Sequence, residues 1–350
     1  MQAMTWGGEG GEPTRIDMQQ HAHQVNDNSL ELDVTQDWGS RWRAPLTEGL
    51  DLAHAQFLGG DVPQGMHTLL SSLGHARATL VPEDWRRFCV ETCHRHPVHS
   101  LVRQEPFTRR GFEKPRRYAG DAVMLDFVYE DHEPERLGTT PIGVELNRFL
   151  CAQTSTASLR GRRDYLARYI DSVSEERADA RILSVACGHL RESRRSRAVL
   201  QRRVGEFLAL DQDLRSLGVI DSELGHLGIK PVAGSVKDIL RNQLRYEDMD
   251  LVYASGLYDY LPQPVAIRLT AQLFSMLRPG GRLLLANYAD PHKDSAFKAY
   301  MEACMDWWLI YRDESEVAGW MSDIPRSQLH RQELFRDETE NLIYLELTRR

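Results

Sequence analysis

RILSVACGHLRE, at residues 181–192, is the stretch of sequence that decides the fold. A short apolar run ends here at Ala186 and Gly188, whose small side chains permit a tight turn. Further apolar runs of strand length follow at 206–211, 249–256 and 282–288. Stretches with helical patterns separate the runs, beginning with a polar helix expected through 192–203. Apolar strands that alternate with amphipathic helices indicate an α/β fold, a doubly wound parallel sheet covered on both faces.

The regions on either side of these runs have different patterns. HRQELFRDETENLIYLELTRR at 330–350 has two strand-like runs around a polar turn, which predicts a C-terminal antiparallel hairpin. VPEDWRRFCVETCHRH at 81–96 has Pro82 at a first helical position and apolar residues at helical spacing. We therefore predict three regions, listed here in chain order: a flexible arm (1–40), a helical lid and substrate domain (41–175) and the domain that contains the sheet (176–350).

The carboxyl ends of the predicted strands carry the candidate ligand residues, because ligands of doubly wound sheets bind at that edge. An acid about 20 residues after a glycine-containing turn is placed to accept hydrogen bonds from two ribose hydroxyls. Asp211 is such an acid. The candidates for cofactor binding at the four strand ends are Ala186, Gly188, Asp211, Gln212, Gly234, Ser235, Val236, Ser255 and Gly256.

Together with LRPGGRLLL at 277–285 and the terminal hairpin, these motifs resemble those of class I S-adenosylmethionine (SAM)-dependent methyltransferases. The resemblance covers 178–350. It implies a Rossmann-like methyltransferase sheet and SAM as cofactor, with ILSVACG as the first cofactor motif, LALDQD as the ribose motif, AGSV as the adenine motif and DLVYASGLYDYL facing the methyl group. The family usually has an acid at Ser184 and a second glycine at His189 or Leu190. An NAD-binding domain begins in the same way, but the chain lacks its G-x-G-x-x-G motif here.

A narrower resemblance rests on EPFTRRGFEKPRRYAGDAVMLDFVY at 105–129. This segment is similar to one in a bacterial methyltransferase family identified with the biosynthesis of 3-hydroxy fatty acid (3-hydroxypalmitic acid) methyl esters. Arg117 stands where that family has glycine. The resemblance implies a small-molecule acceptor, the carboxylate of a 3-hydroxy fatty acid.

The same segment has the features of a lid over the cofactor. Tyr118 offers an aromatic face, Gly120 permits close approach of the backbone, and Asp121 is placed to cap the helix that follows. Pro115 is expected to hold Lys114 in an extended conformation. We expect Tyr118 and Gly120 to contact the methionine end of the cofactor, with Tyr258 opposite them.

The chemistry of the acceptor decides whether a general base is needed. A carboxylate is already anionic and needs none, whereas a hydroxyl or amine usually does. His189 and Asp259 are the candidate catalytic residues, and His189 is also open to a packing role. The alternatives are O- or N-methylation of a secondary metabolite with a general base, or a catalytically silent SAM-binding protein, suggested by Ser184. The candidate substrate residues are Arg116, Tyr258, Tyr260, Trp308 and Tyr311. The last two belong to an apolar stripe from Met301 to Tyr311, which fits either the wall of a substrate pocket or the core.

Composition excludes several other classes. The net charge of −8 argues against a protein that coats nucleic acid, and the chain lacks the 18 consecutive apolar residues of a membrane span. The N-terminus has no signal-peptide pattern, and five scattered cysteines favour the cytoplasm. Cys89, Cys93, His94 and His96 match no zinc spacing, so no metal is expected. Homodimer formation is left open.

Overall fold

The computed structural model describes residues 43–129, 139–290 and 295–350, so the predicted arm at 1–40 lies outside the described residues. Helices occupy the chain before the sheet, as predicted. They are α1 (Arg43–Leu58), α2 (Val62–Thr79), α3 (Pro82–Glu91), α4 (Pro97–Val102), α5 (Pro106–Glu113), α6 (Ala122–Tyr129), α7 (Pro141–Cys151) and α8 (Thr154–Glu176). None of the described helices is both long enough and apolar enough to cross a membrane.

The second half of the chain forms one seven-stranded sheet with the order β3-β2-β1-β4-β5-β7-β6. Its strands are β1 (Arg181–Val185), β2 (Glu206–Asp211), β3 (Ile229–Ala233), β4 (Met249–Ala254), β5 (Leu277–Tyr288), β6 (Leu329–Arg336) and β7 (Leu342–Arg349). The first five strands run parallel, and β7 lies antiparallel between β5 and β6. The predicted fold class, a Rossmann-like methyltransferase sheet that ends in an antiparallel hairpin, is confirmed.

Each face of the sheet packs against a different set of helices. In β1, Ile182 belongs to a buried cluster with the N-terminal helices, whereas Leu183 and Val185 belong to a cluster on the opposite face. This alternation follows from the period of two along a strand. The helices within and after the sheet are α9 (Arg197–Leu200), α10 (Leu214–Leu224), α11 (Val236–Leu240), α12 (Gln263–Ser275), α13 (Ser295–Met305) and α14 (Glu314–Ala318).

Helix α13 follows β5 in the chain but packs among the N-terminal helices α2, α3 and α5. Its Glu302 accepts hydrogen bonds from Arg77 Nε and Trp85 Nε1, both at 2.7 Å. A methyl group added at Gly111 of α5 would lie 2.7 Å from Met305 Cε. One buried cluster therefore extends from the helices to the sheet across residue 175, where we placed a domain boundary.

The chain after Gly188 is less helical than its sequence indicated. The polar helix expected through 192–203 is a short 3₁₀ turn followed by the four residues of α9. Asp171 of α8 explains the break, because its Oδ1 accepts hydrogen bonds from Ser196 Oγ at 2.6 Å and from the amide of Ala198 at 2.8 Å. These bonds anchor a fresh helix start at Ser196, whose side chain caps α9.

Candidate functional site

The turn after β1 has left-handed backbone at three positions, of which only one is a glycine. Ala186, Gly188 and Leu190 have φ angles of +52°, +56° and +52°. Left-handed backbone favours glycine because other residues pay a steric cost. A Cβ at Gly188 would lie 3.2 Å from Ala122 Cβ at the start of α6. The turn therefore has glycine-type geometry, and the lid segment passes directly over it.

Asp211 ends β2 beside this turn, with its carboxylate buried. Its Oδ2 accepts a hydrogen bond from the amide of Gly188, and its Oδ1 accepts one from the amide of Asp213, both at 2.8 Å. Burial raises the pKa of Asp211, and these backbone bonds oppose the rise. The backbone of Gln212 also hydrogen-bonds to this carboxylate. A carboxylate has about four acceptor sites, so the group can still accept a hydrogen bond from a ligand. Gln212, the next residue, is exposed.

The end of β3 completes this part of the edge. The amide of Gly234 donates to the carbonyl of Asp211 at 3.0 Å, which ties the two strand ends together. Ser235 caps α11 in a reciprocal arrangement with Asp238, in which Ser235 Oγ lies 2.7 Å from Asp238 Oδ2. Val236, the first residue of α11, is half-buried beside this cap. The Ser235 hydroxyl is therefore engaged in the helix cap.

The lid segment, residues 116–122, crosses this edge of the sheet. Arg116 Nη1 donates to Asp213 Oδ2 and to Ser216 Oγ, both at 2.7 Å. Burial raises the pKa of the Tyr118 phenol, and the nearby charges of Asp211 and Asp213 raise it further. Tyr118 thus lies on the Asp211 side of the edge. Arg116 is held beside it through Nη1, and its role as a substrate ligand stays a prediction.

Gly120 is the point of closest approach in the lid segment. Its φ is +75°, and an added Cβ would overlap Tyr260 Oη and lie 2.8 Å from Trp307 Cζ2. Tyr260 Oη donates to the carbonyl of Ala119 at 3.2 Å and accepts from Trp307 Nε1 at 2.8 Å. Tyr260 therefore anchors the lid segment, with Trp307 as its partner.

Two further residues have left-handed backbone, one in the lid segment and one just before it. Arg117 has a φ of +72°, which explains why the family that this segment resembles has glycine there. Lys114 has a φ of +48°, so the prediction that Pro115 holds it in an extended conformation is wrong. Lys114 ends α5, its amide donates to the carbonyl of Arg110 at 3.0 Å, and its ammonium pairs with Asp306. The helix end and the ion pair outweigh the preference imposed by the proline.

Asp121 caps α6, and a second acid on that helix holds His189. Asp121 Oδ1 accepts from the amide of Met124 at 2.8 Å and also pairs with Arg110. His189 Nδ1 lies 2.8 Å from Asp126 Oδ2. Because a carboxylate only accepts, the ring donates this hydrogen bond from Nδ1, and Nε2 is the nitrogen left for a further contact. That buried Nε2 has no hydrogen-bond partner.

The Ser184 position is linked to Glu192 through a tyrosine. Glu192 Oε1 accepts a hydrogen bond from Tyr253 Oη at 2.8 Å, and Ser184 also bonds to that phenol. Burial raises the pKa of Glu192. An acidic group therefore does approach Ser184, but it arrives from the 3₁₀ turn after Gly188.

Asp259, a candidate catalytic residue, supports the end of β5. Its Oδ1 accepts a hydrogen bond from the amide of Tyr288 at 2.6 Å, and its carbonyl accepts from the amide of Ile310 at 2.7 Å. Burial raises the pKa of Asp259 to about 6, against the opposing charges of Arg162 and Arg312. These contacts favour a structural role for the carboxyl group.

Asp259→Asn is expected to stabilise the protein above pH 6. A folded-state pKa above the ordinary 3.8 means that the native state holds this proton more tightly. Stability from this group is therefore highest below about pH 4 and falls as the pH rises to about 6, by roughly 2–3 kcal/mol. The asparagine side chain can still accept the hydrogen bond from the Tyr288 amide. It does not titrate, so this position no longer contributes to the pH dependence of stability. Urea unfolding at pH 5 and pH 8 measures this, and parallel pH curves for the two proteins would refute it.

Three candidate substrate residues lie elsewhere than expected. Tyr258 is fully buried on the opposite face of the sheet, with Oη 2.9 Å from Thr270 Oγ1, so its predicted place across from Tyr118 is wrong. Trp308 donates from Nε1 to Asp306 Oδ1 at 2.7 Å and packs under Arg86. Lys298 Nζ lies 3.3 Å from the centroid of the Tyr311 ring, and Tyr311 lines a cavity of about 10 Å³. That volume suits one water molecule and excludes an acyl chain.

At the end of β4, Ser255 and Gly256 contact a residue that the sequence analysis missed. Arg162 of α8 is 3% exposed and donates from Nη1 to the carbonyl of Ser255. Its Nη2 donates to Tyr129 Oη at 2.7 Å. Residues 154–176 have an ordinary helical pattern, and nothing in the sequence indicates that one of their arginines reaches a strand end.

The fold and this edge place the chain among proteins with a Rossmann-like methyltransferase sheet. No model of a known protein family matches the sequence, and neither does any curated protein. A solved structure described as a possible exported protein from Bordetella parapertussis matches over 65% of this chain and 79% of its own, at 15% identity and a TM-score of 0.52. At that identity the likeness shows the fold alone.

Two further solved structures have lower scores. Magnesium protoporphyrin IX methyltransferase from Synechocystis PCC 6803 with bound S-adenosylhomocysteine (SAH) covers 70% of this chain and 96% of its own, at 13% identity and a TM-score of 0.46. The N-methyltransferase NodS from Bradyrhizobium japonicum WM9, also with SAH, covers 65% and 97%, at 16% identity and a TM-score of 0.39.

Proposed function

We propose that this chain is a SAM-dependent methyltransferase that acts on a small molecule. The observation that carries the proposal is Asp211, a buried carboxylate at the end of β2 that backbone amides hold in place and that keeps acceptor capacity for a ligand. A vicinal ribose diol offers two hydroxyl donors with matching spacing. Charge-assisted hydrogen bonds of this kind contribute about 1.5–3 kcal/mol each.

The neighbouring residues fit an adenosyl group. Gly234, Ser235 and Val236 follow the adjacent strand, where we place the adenine, and the left-handed turn at Ala186 and Gly188 brings backbone close to the edge. Tyr118 lies on the Asp211 side of the edge and is half-buried. This donor and acceptor set supports SAM as the cofactor.

The chain contributes position and the exclusion of water. When bound, SAM supplies an electrophilic methyl group on a sulfonium. The lid segment, fixed at Gly120 by Tyr260 and Trp307, shields the strand ends from solvent. Holding a nucleophile at attack distance can contribute roughly 7–11 kcal/mol to the lowering of a barrier.

For the acceptor we propose the carboxylate of a small amphipathic acid, such as a 3-hydroxy fatty acid. The first support is the resemblance of residues 105–129 to the methyl ester family. The second is that a carboxylate is already anionic and can accept a methyl group without a general base. We place the reaction in the cytoplasm, which agrees with five cysteines that are all free.

One observation favours a second candidate, the methylation of a hydroxyl or an amine. His189 is held by Asp126 with Nε2 unpartnered, which is the state a general base requires. Methylation of a hydroxyl or an amine would depend on the His189 imidazole, whereas methylation of a carboxylate would not.

His189→Ala is expected to keep most of its turnover if the acceptor is a carboxylate. The measurement is the formation of SAH from SAM with a panel of fatty acids, hydroxy acids, phenols and amines. Asp126→Asn is the companion variant. It keeps the imidazole and weakens the contact that holds it, and it also removes the charge that pairs with Arg191. A loss of about 10²–10⁴-fold in His189→Ala with SAM affinity intact would instead identify a general base. No turnover with any acceptor, despite SAM binding, would favour the silent binder.

A further inference from the structure

Arg162 is a buried cation whose direct partners are neutral. Its guanidinium donates to the carbonyl of Ser255 and to the phenol of Tyr129. Arginine has five N–H donors, and Nε is buried without a partner. Three N–H groups are therefore left over on a side chain that is 3% exposed.

No carboxylate in the described part of the chain forms an ion pair with Arg162. The two acids whose pKa values its charge influences, Glu192 and Asp259, are bound to Tyr253 Oη and to the amide of Tyr288. Arg163, the next residue, does have an acid, with Nε 2.9 Å from Asp164 Oδ1. Burying a charge is costly unless it is paired, so Arg162 has the properties of a site that awaits an anion.

The space beside this guanidinium is open. A Cβ built on Gly256 would meet only Arg162 Nη1 at 3.7 Å and Nη2 at 3.8 Å, apart from its own chain neighbours. Gly256 follows β4, so this space lies at the same carboxyl edge as Asp211. A small group can therefore reach both Nη atoms from the side of the ligand edge.

We propose that Arg162 binds a carboxylate in the space in front of Gly256. The inference rests on the proposed function, which offers two carboxylates: that of the methionine part of SAM and that of the acceptor acid. A carboxylate matches the planar fork of two Nη donors and neutralises the buried charge. Arg162 is then the residue that selects for the acid at this end of the site.

The first arm of the test compares the binding of SAM with that of decarboxylated SAM, which lacks only the carboxylate. If the methionine carboxylate is the ligand, the full-length wild type prefers SAM by about tenfold or more. Arg162→Gln then loses this preference. Gly256→Ala, which fills the space and leaves the arginine in place, weakens SAM in the same direction.

The second arm compares 3-hydroxyhexadecanoate with its primary amide, in the presence of SAH. If the acceptor carboxylate is the ligand, the preference for the acid over the amide disappears in Arg162→Gln while the preference for SAM persists. Arg163→Gln is the matched control, because it removes the same charge from a neighbouring buried arginine that has its own acid. Arg162→Lys, with thermal unfolding of every variant, separates binding effects from folding effects.

Three outcomes overturn the inference. In the first, Arg162→Gln keeps both the preference for SAM over decarboxylated SAM and the preference for the acid over its amide. In the second, the wild type binds SAM but shows no preference within either pair of ligands. In the third, Arg163→Gln changes these preferences as much as Arg162→Gln does. A wild type that binds neither SAM nor decarboxylated SAM overturns the proposed function itself, and this inference with it.

Discussion

Asp211→Ala is expected to weaken SAM binding by at least about tenfold while the chain stays folded. The variant removes an acceptor that we place against two ribose hydroxyls, and each such bond contributes about 1.5–3 kcal/mol. It also frees the amides of Gly188 and Asp213, so the turn after β1 loses part of its support. Isothermal titration with SAM and SAH measures the effect.

Asp171→Ala is the matched control for that loss. Asp171 also holds the amide of Ala198 and a serine hydroxyl, but at the start of α9 and away from Asp211. We expect it to lower the unfolding temperature and to leave SAM affinity unchanged. Equal SAM affinity in Asp211→Ala and the wild type would contradict the assignment of the ribose site.

Gly120→Ala is expected to detach the lid segment. Its backbone is left-handed, and an added methyl group overlaps Tyr260 Oη and crowds Trp307. The left-handed conformation costs about 1–2 kcal/mol and the overlap about 1–3 kcal/mol, so we expect destabilisation by about 2–5 kcal/mol. Urea unfolding gives the stability, and titration with SAH shows whether affinity falls as the cover loosens.

Gly218→Ala controls for the general effect of replacing a glycine. Gly218 lies in α10, and a Cβ there meets nothing within 4 Å. Alanine in a helix interior is favoured by roughly 0.5–1 kcal/mol, so this variant should be slightly more stable than the wild type. If Gly120→Ala had the same stability and SAH affinity as Gly218→Ala, the close contact of Gly120 with Tyr260 and Trp307 would be ruled out.

The sequence predicted the fold because each element carried its own local signal. Apolar runs placed β1, β2 and β4, and the polar turn between two strand-like runs placed the terminal hairpin. The position of Asp211 at the ligand edge was also predictable, because the carboxyl ends of parallel strands lie at one edge of a sheet. The helix after Gly188 was overestimated, because residue composition does not reveal that Asp171, distant in sequence, caps a new helix at Ser196.

Residues brought to the site by tertiary packing could not be predicted. Asp126 meets His189 because α6 lies over the first turn, and Arg162 reaches Ser255 because α8 packs beside β4. Neither pairing has a sequence spacing that would indicate it. Tyr258 was misplaced for a related reason. Tyr258 and Tyr260 belong to one 3₁₀ turn but pack into different buried clusters, and their spacing does not show which ring meets which cluster.

The measurement that tests the central claim most directly is the titration of SAH into the full-length wild-type chain. The account predicts saturable binding of one SAH per chain, displaced by SAM and unaffected by NAD. No heat with either SAH or SAM, or binding of NAD in their place, would contradict it.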